Sequence, residues 1–270
     1  MYYSAENCEA LKTEHLEVAG KCQRLVQSYL MRDWKDSRAR EFATQGLLRR
    51  LQTLVRCIDN VFRIFPPDRA ELPLPTSDEL FDGMINIQAF VFNVFGSIDN
   101  LAWIWVQEKS LAKENGSAIP SAWVGLSENN TFVRNSLSNE FKKYLTMIKF
   151  DVWFDNLGSF RHALAHRIPL YIPPYTIPND KEMVYRQFED HKRKAIYVRR
   201  DFAEYKRLET EQKALATFIP QMTHSFEEKS DVISFHPQLL TDFLTIEGLA
   251  EKMLQELDGQ REPGDTDAAC

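Results

Sequence analysis

From Thr76 to about Lys113 the chain carries an apolar pattern that places a long helix at the centre of a bundle. Leu80, Met84, Ile87, Val91, Val94 with Phe95, Ile98, Ala102 and Trp105 recur in steps of three and four, the spacing of one helix face. Phe90, Phe92, Leu101, Trp103 and Ile104 add apolar bulk on the other sides, so this helix needs neighbours around most of its circumference. Thr76-Ser77-Asp78-Glu79 reads as a capping box, in which hydroxyl and carboxylate satisfy the orphan amides of the first turn.

The neighbours are legible on both sides of it. Leu11, Val18, Cys22, Leu25 and Tyr29 predict a first helix from about Glu6 to Lys35 with one buried stripe. Phe42, Leu47, Leu51, Leu54, Ile58, Val61 and Phe62 predict a second from about Asp36 to Phe65, stopped by Pro66-Pro67. These two form a helical hairpin, residues 1–65, set off by a proline-rich linker over 65–76. Polar stretches at 114–121 and 127–131 lead to a fourth long helix, Phe132 to Arg167, with a break near Lys149. Pro169 disfavours helical geometry at Ile168 and so ends that helix. Residues 168–178 are too rich in proline for a helix and too apolar for a free linker, which predicts an extended strap packed on the body. A fifth long helix is expected from about Lys181 to Phe218, then an irregular stretch with a short strand at Asp231 to Phe235, then a last helix from Pro237 to Leu257. Residues 258–270 are polar, lack a core pattern and are expected to be disordered. The expected fold is all-α: a helical bundle over 76–257, a helical extension over 1–65, and the strap.

Bulk properties narrow the function. An apolar fraction of 44% and an aromatic fraction of 12% suffice for a packed core, and long stretches free of Gly and Pro argue against a turn-rich β fold. The four cysteines, Cys8, Cys22, Cys57 and Cys270, form no CxxC pair, which suits reduced thiols. The first residues carry early acidic groups and no basic-then-apolar signal pattern, and no window reaches eighteen uncharged apolar residues. A cytoplasmic protein with no membrane span is therefore expected, and the sequons at Asn115 and Asn129 are chance matches. A net charge of −6 argues against a general nucleic-acid-coating protein. The distribution matters more: residues 141–210 hold fourteen Lys/Arg against nine Asp/Glu, a local excess of five positive charges. There is no Walker loop, Rossmann glycine pattern or nucleophile elbow.

Within that basic region lies Arg161-His162-Ala163-Leu164-Ala165-His166. Arginine holds a phosphate with two parallel donors, and histidine moves protons near neutral pH, so the pair suits metal-free phosphodiester cleavage. At about 100° per residue, Trp153, Leu157, Phe160 and Leu164 fall on one face, the expected core. Asp155, Ser159, His162 and His166 form a stripe nearly opposite. Arg161 lies between the two, flanked by the small residues Gly158 and Ala165, which would admit another helix closely. Arg161, a polar residue after it, and His166 five positions on resemble the signature of the HEPN superfamily (higher eukaryotes and prokaryotes nucleotide-binding).

The resemblance is confined mainly to Asp155 to Arg167 and the bundle pattern around it; the first seventy residues and the strap depart from a minimal family domain. It implies a metal-independent endoribonuclease acting on RNA, a homodimer with a composite site, and a role as a toxin or in defence with an antitoxin-type partner. In that scheme Arg161 stabilises charge on the phosphate, His166 transfers a proton and His162 orients its neighbours. Asp155 and Ser159 are supporting candidates from the helical stripe alone. Asp99 and Asn100, which interrupt the aromatic segment of the third helix, could hold Arg161 or a histidine, or make a structural hydrogen bond. Arg167, Lys192 and Arg193 are the expected RNA-backbone contacts, although interleaved acids in the fifth helix also suit a solvated, ion-paired face.

His162 and His166 have the spacing of a one-metal clamp, but the HExxH glutamate is absent, Ala163 following His162, so no metal or other cofactor is assigned. His15, His191, His224 and His236 show no constellation and are expected to be surface or packing residues. The alternative function is a non-catalytic helical module that binds a nucleotide or a protein partner.

Overall fold

The computed structural model describes residues 2–70, 73–225 and 232–259, and over them the chain is mostly helical. The order is α1 (Ala5–Met31), α2 (Ser37–Glu41), a π-helical turn (Phe42–Leu47), α3 (Leu48–Ile64), α4 (Ser77–Glu108), α5 (Thr131–Ser136), α6 (Asn139–Met147), α7 (Phe150–His166), α8 (Glu182–Lys194), a second π-helical turn (Ala195–Arg199), α9 (Phe202–Lys213), β1 (Gln221–Met222), β2 (Ile233–Ser234) and α10 (Phe235–Gly259). The two short strands pair antiparallel. The polar tail expected to be disordered lies outside the described residues from 260 onward.

The central helix is α4. Its capping box forms as predicted, Thr76 Oγ1 accepting from Glu79 N at 3.2 Å and Glu79 Oε2 accepting from Thr76 N at 2.8 Å. It ends at Glu108 rather than Lys113, and Ser110 adopts positive φ just beyond. Phe90, Val91, Val94, Ile98, Leu101, Ile104 and Trp105 are all buried, so the helix is covered on several sides. α3 packs along it most extensively, while α1 packs on α10 and α3. One apolar cluster runs from Leu11 to Leu257, so the N-terminal helices share their core with the rest of the bundle. α4 has the length and composition to cross a membrane, but 56% of its most apolar window is buried inside the bundle.

Close helix contacts depend on small residues. At Gly83 an added Cβ would lie 2.3 Å from Phe65 Cε2 and 3.1 Å from Ile172 Cδ1; at Gly96 it would meet the Arg50 guanidinium at 2.4 Å. The strap passes over α4 as expected: Leu170 and Ile172 are buried, Gln88 Nε2 donates to Leu170 O at 2.7 Å, and Tyr171 and Thr176 pair with Thr223 and Thr217.

The break expected near Lys149 is present, and two further breaks were not expected. The helix predicted over 132–167 is three helices. One break falls at Ile148–Lys149, where Lys149 takes a left-handed conformation (φ 52°). The other falls at Leu137–Ser138, where Ser138 caps α6 and donates from both N and Oγ to the buried carboxylate of Glu256, each at 2.6 Å. The helix predicted over 181–218 turns back at Arg200 (φ 54°), giving an α8–α9 hairpin closed by Gln212 against Glu189 and Lys192. Propensity alone could not show the breaks at Ser138 and Arg200, because a tertiary carboxylate and a hairpin contact impose them.

Candidate active site

α7 is held at its start by Arg134, which makes a bidentate ion pair to Asp151 at 2.9 and 2.8 Å and also donates to Leu126 O. Phe150, Leu157, Phe160 and Ala163 are its buried residues. Trp153 and Leu164, expected in the core, are only half-buried. The indole of Trp153 is drawn aside to donate from Nε1 to Asp242 Oδ1 of α10 at 2.7 Å. Phe154 stacks between Phe150 and Phe95 of α4, with centroids at 5.5 and 4.9 Å.

The motif sits at the exposed last turns of this helix. Arg161, His162 and His166 are all exposed. The His162 and His166 rings lie 5.1 Å apart with their planes inclined at 56°, on one side of the helix as their spacing requires. Arg161 turns toward α4, its guanidinium carbon 5.1 Å from the Phe95 ring centroid. Among the described residues no hydrogen bond or ring contact joins Arg161 to either histidine. The two catalytic candidates thus face different directions within one chain. Nothing lies within 4 Å of the Cβ position of Gly158, so the helix flank beside Arg161 is open. The histidine pair gathers no third His, Cys, Asp or Glu side chain among the described residues.

The supporting candidates separate. Asp155 is exposed, and Ser159 is exposed with its hydroxyl donating to Asn156 O at 2.8 Å. Asn100 is buried and accepts from Arg50 Nε at 3.0 Å; Arg50 also donates to Asn93 Oδ1 at 3.2 Å, so Asn100 makes a structural hydrogen bond and does not hold Arg161. Asp99 keeps an accessible side chain near both arginines. Crowding by the packed helices raises its carboxyl above the usual carboxylate range, an effect that the charges of Arg161 and Arg50 partly offset. Arg167 and Arg193 are exposed. Lys192 is not presented to solvent: its ammonium donates to Gln212 Oε1 at 2.7 Å and to Glu189 Oε1 at 3.1 Å, so the ion-paired account of the fifth helix holds there.

Searches among protein-family models, curated proteins and solved structures found no match to this chain. Function has to be argued from the geometry.

That geometry includes a cavity of about 580 Å³ between α7, α10 and the side chains of Met222, His224 and Ile233. His162, Ser159 and Arg167 line it, while Arg161 and His166 do not. Its interior holds Asp242, which burial pushes up to about 7 against the hydrogen bonds from Trp153 and Gln238. His224, expected to be a surface or packing residue, also lines the cavity and meets Phe160 edge-on at 5.9 Å. His236 does pack as expected: it is fully buried, hydrogen-bonded to Phe65 O and the Tyr3 hydroxyl, and burial lowers it to about 4. Asp242 was the residue missed, and its signal was present. Phe235, Leu239, Asp242, Ile246, Leu249 and Met253 step by four and three along α10, which puts a carboxylate in the middle of an apolar seam.

Proposed function

We propose that this protein is a metal-independent endoribonuclease of HEPN type, active as a homodimer. The observation that carries the proposal is the placement of Arg161, His162 and His166, all exposed at the open end of α7 beside the unobstructed flank of Gly158. A phosphate-binding arginine and a proton-transferring histidine are thereby accessible to a polymer. They diverge within one chain, so the site is completed when Arg161 of one copy meets His166 of another.

A surface for the second copy runs along α4. Phe81, Ile85 and Phe92, exposed by 63%, 61% and 41%, lie on one helical stripe that leads to Asp99 beside Arg161. Exposed large apolar residues in such a row suit burial against a partner.

At this site Arg161 takes up the negative charge that builds on the phosphate, and His166 removes the proton of the ribose 2′-hydroxyl or returns one to the leaving oxygen. The 2′-oxygen attacks phosphorus as the bond to the 5′-oxygen breaks, leaving a 2′,3′-cyclic phosphate. His162, in ring contact with His166, orients it. A role in defence and an antitoxin-type partner belong to the same proposal.

The protein should cut RNA in EDTA and leave cyclic phosphate ends. Cleavage should disappear in Arg161→Ala and His166→Ala, both of which should stay folded because the side chains are exposed. Cleavage that persists in both would refute the assignment. A non-catalytic module binding a nucleotide or protein is the second reading, favoured by the separation of Arg161 from His166 within one chain; a folded monomer that shows no cleavage would select it.

A further inference from the structure

Two other buried carboxylates in this bundle have both oxygens engaged. Glu108 accepts from the backbone amides of Lys35 and Asp36 at 3.1 and 3.2 Å, and Glu256 accepts from Ser138 N and Oγ. Asp242 differs. Trp153 Nε1 and Gln238 Nε2 both donate to its Oδ1, each at 2.7 Å, and among the described residues nothing donates to Oδ2. The residue is 3% exposed, and it lines the cavity. Oδ2 is open to the cavity, so when the carboxyl is ionised this oxygen is an acceptor that a ligand entering the cavity can engage.

The walls and rim narrow what that donor is. Buried Leu157 and Phe160 form the interior with the indole of Trp153, while exposed Lys149, His162 and Arg167 stand at the edge. A volume of 580 Å³ falls in the range of about 300–1,000 Å³ that encloses small organic ligands. The electrostatics run from an acceptor inside to cations outside. A small ammonium ligand would have to pass and then sit beside Lys149 and Arg167. A carboxylate ligand would meet Asp242. A ligand with a flat neutral body, N–H donors at its inner end and an anionic outer end satisfies both ends at once.

We propose that this cavity is a nucleobase site, in which the ionised Asp242 carboxylate accepts through Oδ2 from the exocyclic amino group of adenine, cytosine or guanine while the attached phosphate lies toward Arg167 and His162. The base leaves its stack to enter, as bases do wherever a protein reads them from inside a pocket, and lies among the aromatic and aliphatic walls. Uracil lacks the amino group and presents a carbonyl at that position, which would set two acceptors against each other. The site deepens the ribonuclease proposal and rests on it for the identity of the polymer: His162 is shared between the cavity rim and the motif, so the base held here adjoins the phosphate to be cut.

The test is a titration, at about pH 8.5 where Asp242 is ionised, of full-length protein carrying Arg161→Ala and His166→Ala with the 5′-monophosphates of adenosine, cytidine, guanosine and uridine, followed by the indole N–H resonance of Trp153, assigned with Trp153→Phe. The three amino-bearing nucleotides should move this resonance and bind about tenfold more tightly than uridine monophosphate, the discrimination expected from one mismatched buried hydrogen bond. Asp242→Asn replaces the free acceptor with an amide that can donate, and should abolish or reverse that preference. Equal binding of all four nucleotides, or an indole resonance that none of them moves at millimolar concentration, would overturn the proposal. Wild-type cleavage is measured in parallel. Selective binding without cleavage supports the base site and refutes only the ribonuclease; cleavage without any nucleotide response at Trp153 refutes the base site and leaves the ribonuclease standing.

Discussion

Replacing Asp242 with Asn gives a measurable signature in stability as well as in binding. The carboxyl ordinarily titrates near 3.8, and burial in α10 pushes it up to about 7. The folded protein therefore holds this proton over a pH range in which the unfolded chain has lost it. Stability contributed by the protonated form is fully present below about 3.8 and declines as pH rises, levelling off above about 7. At about 1.4 kcal/mol per pK unit, the whole window corresponds to about 4 kcal/mol, and the part between pH 5 and pH 8 to about 3 kcal/mol. Asn is nearly isosteric, can accept from Trp153 and Gln238 through its carbonyl oxygen, and does not ionise.

Urea unfolding of wild type and Asp242→Asn at pH 5 and pH 8 isolates the effect, because most other titrations cancel in the difference. Among the described residues, the charged and titratable groups that also line this cavity are Lys149, His162 and Arg167 from around α7 and His224 after β1, with no other such group from α4 or α10. The stability of the variant relative to wild type should rise by about 3 kcal/mol from pH 5 to pH 8. A difference that stays constant across that range would show that Asp242 is already charged at pH 5, and the account of its burial would be wrong.

Two further outcomes test the packing and the assembly. Gly83→Ala should destabilise the protein by about 1–3 kcal/mol in the same assay, since its Cβ would lie 2.3 Å from the buried ring of Phe65, whereas Gly158→Ala, with nothing within 4 Å, should be neutral or slightly stabilising; equal effects would refute the close contact at Gly83. Phe92→Glu combined with Ile85→Glu should convert the dimer to a monomer in sedimentation experiments while leaving unfolding within about 1 kcal/mol of wild type, and either a wild-type monomer or a persistent variant dimer would exclude this face as the interface.

Much of the scaffold could be read directly from side-chain spacing. The stripe Leu11, Val18, Cys22, Leu25 and Tyr29 is the buried face of α1, and the capping box at Thr76 opens α4 where its residues say it should. Such features are local: a helix period and a first-turn hydrogen-bond pattern are complete within a few residues. The breaks at Ser138 and Arg200 were not local, because the first depends on Glu256, 118 residues away, and the second on how α8 and α9 meet.

The same division runs through the candidate site. Sequence by itself determined that His162 and His166 share one side of α7 while Arg161 points elsewhere, since the helix period allows nothing else. Tertiary structure decided what each one faces: Phe95 and the neighbourhood of Asp99 for Arg161, the cavity for His162, and solvent for His166. It also turned Asp242 from an irregularity in an apolar seam into a buried acceptor held at one oxygen by Trp153 and Gln238 and open at the other. Periodicity assigns a residue to a face of its own helix, but the environment of that face, and therefore its chemistry, comes from residues remote in the chain.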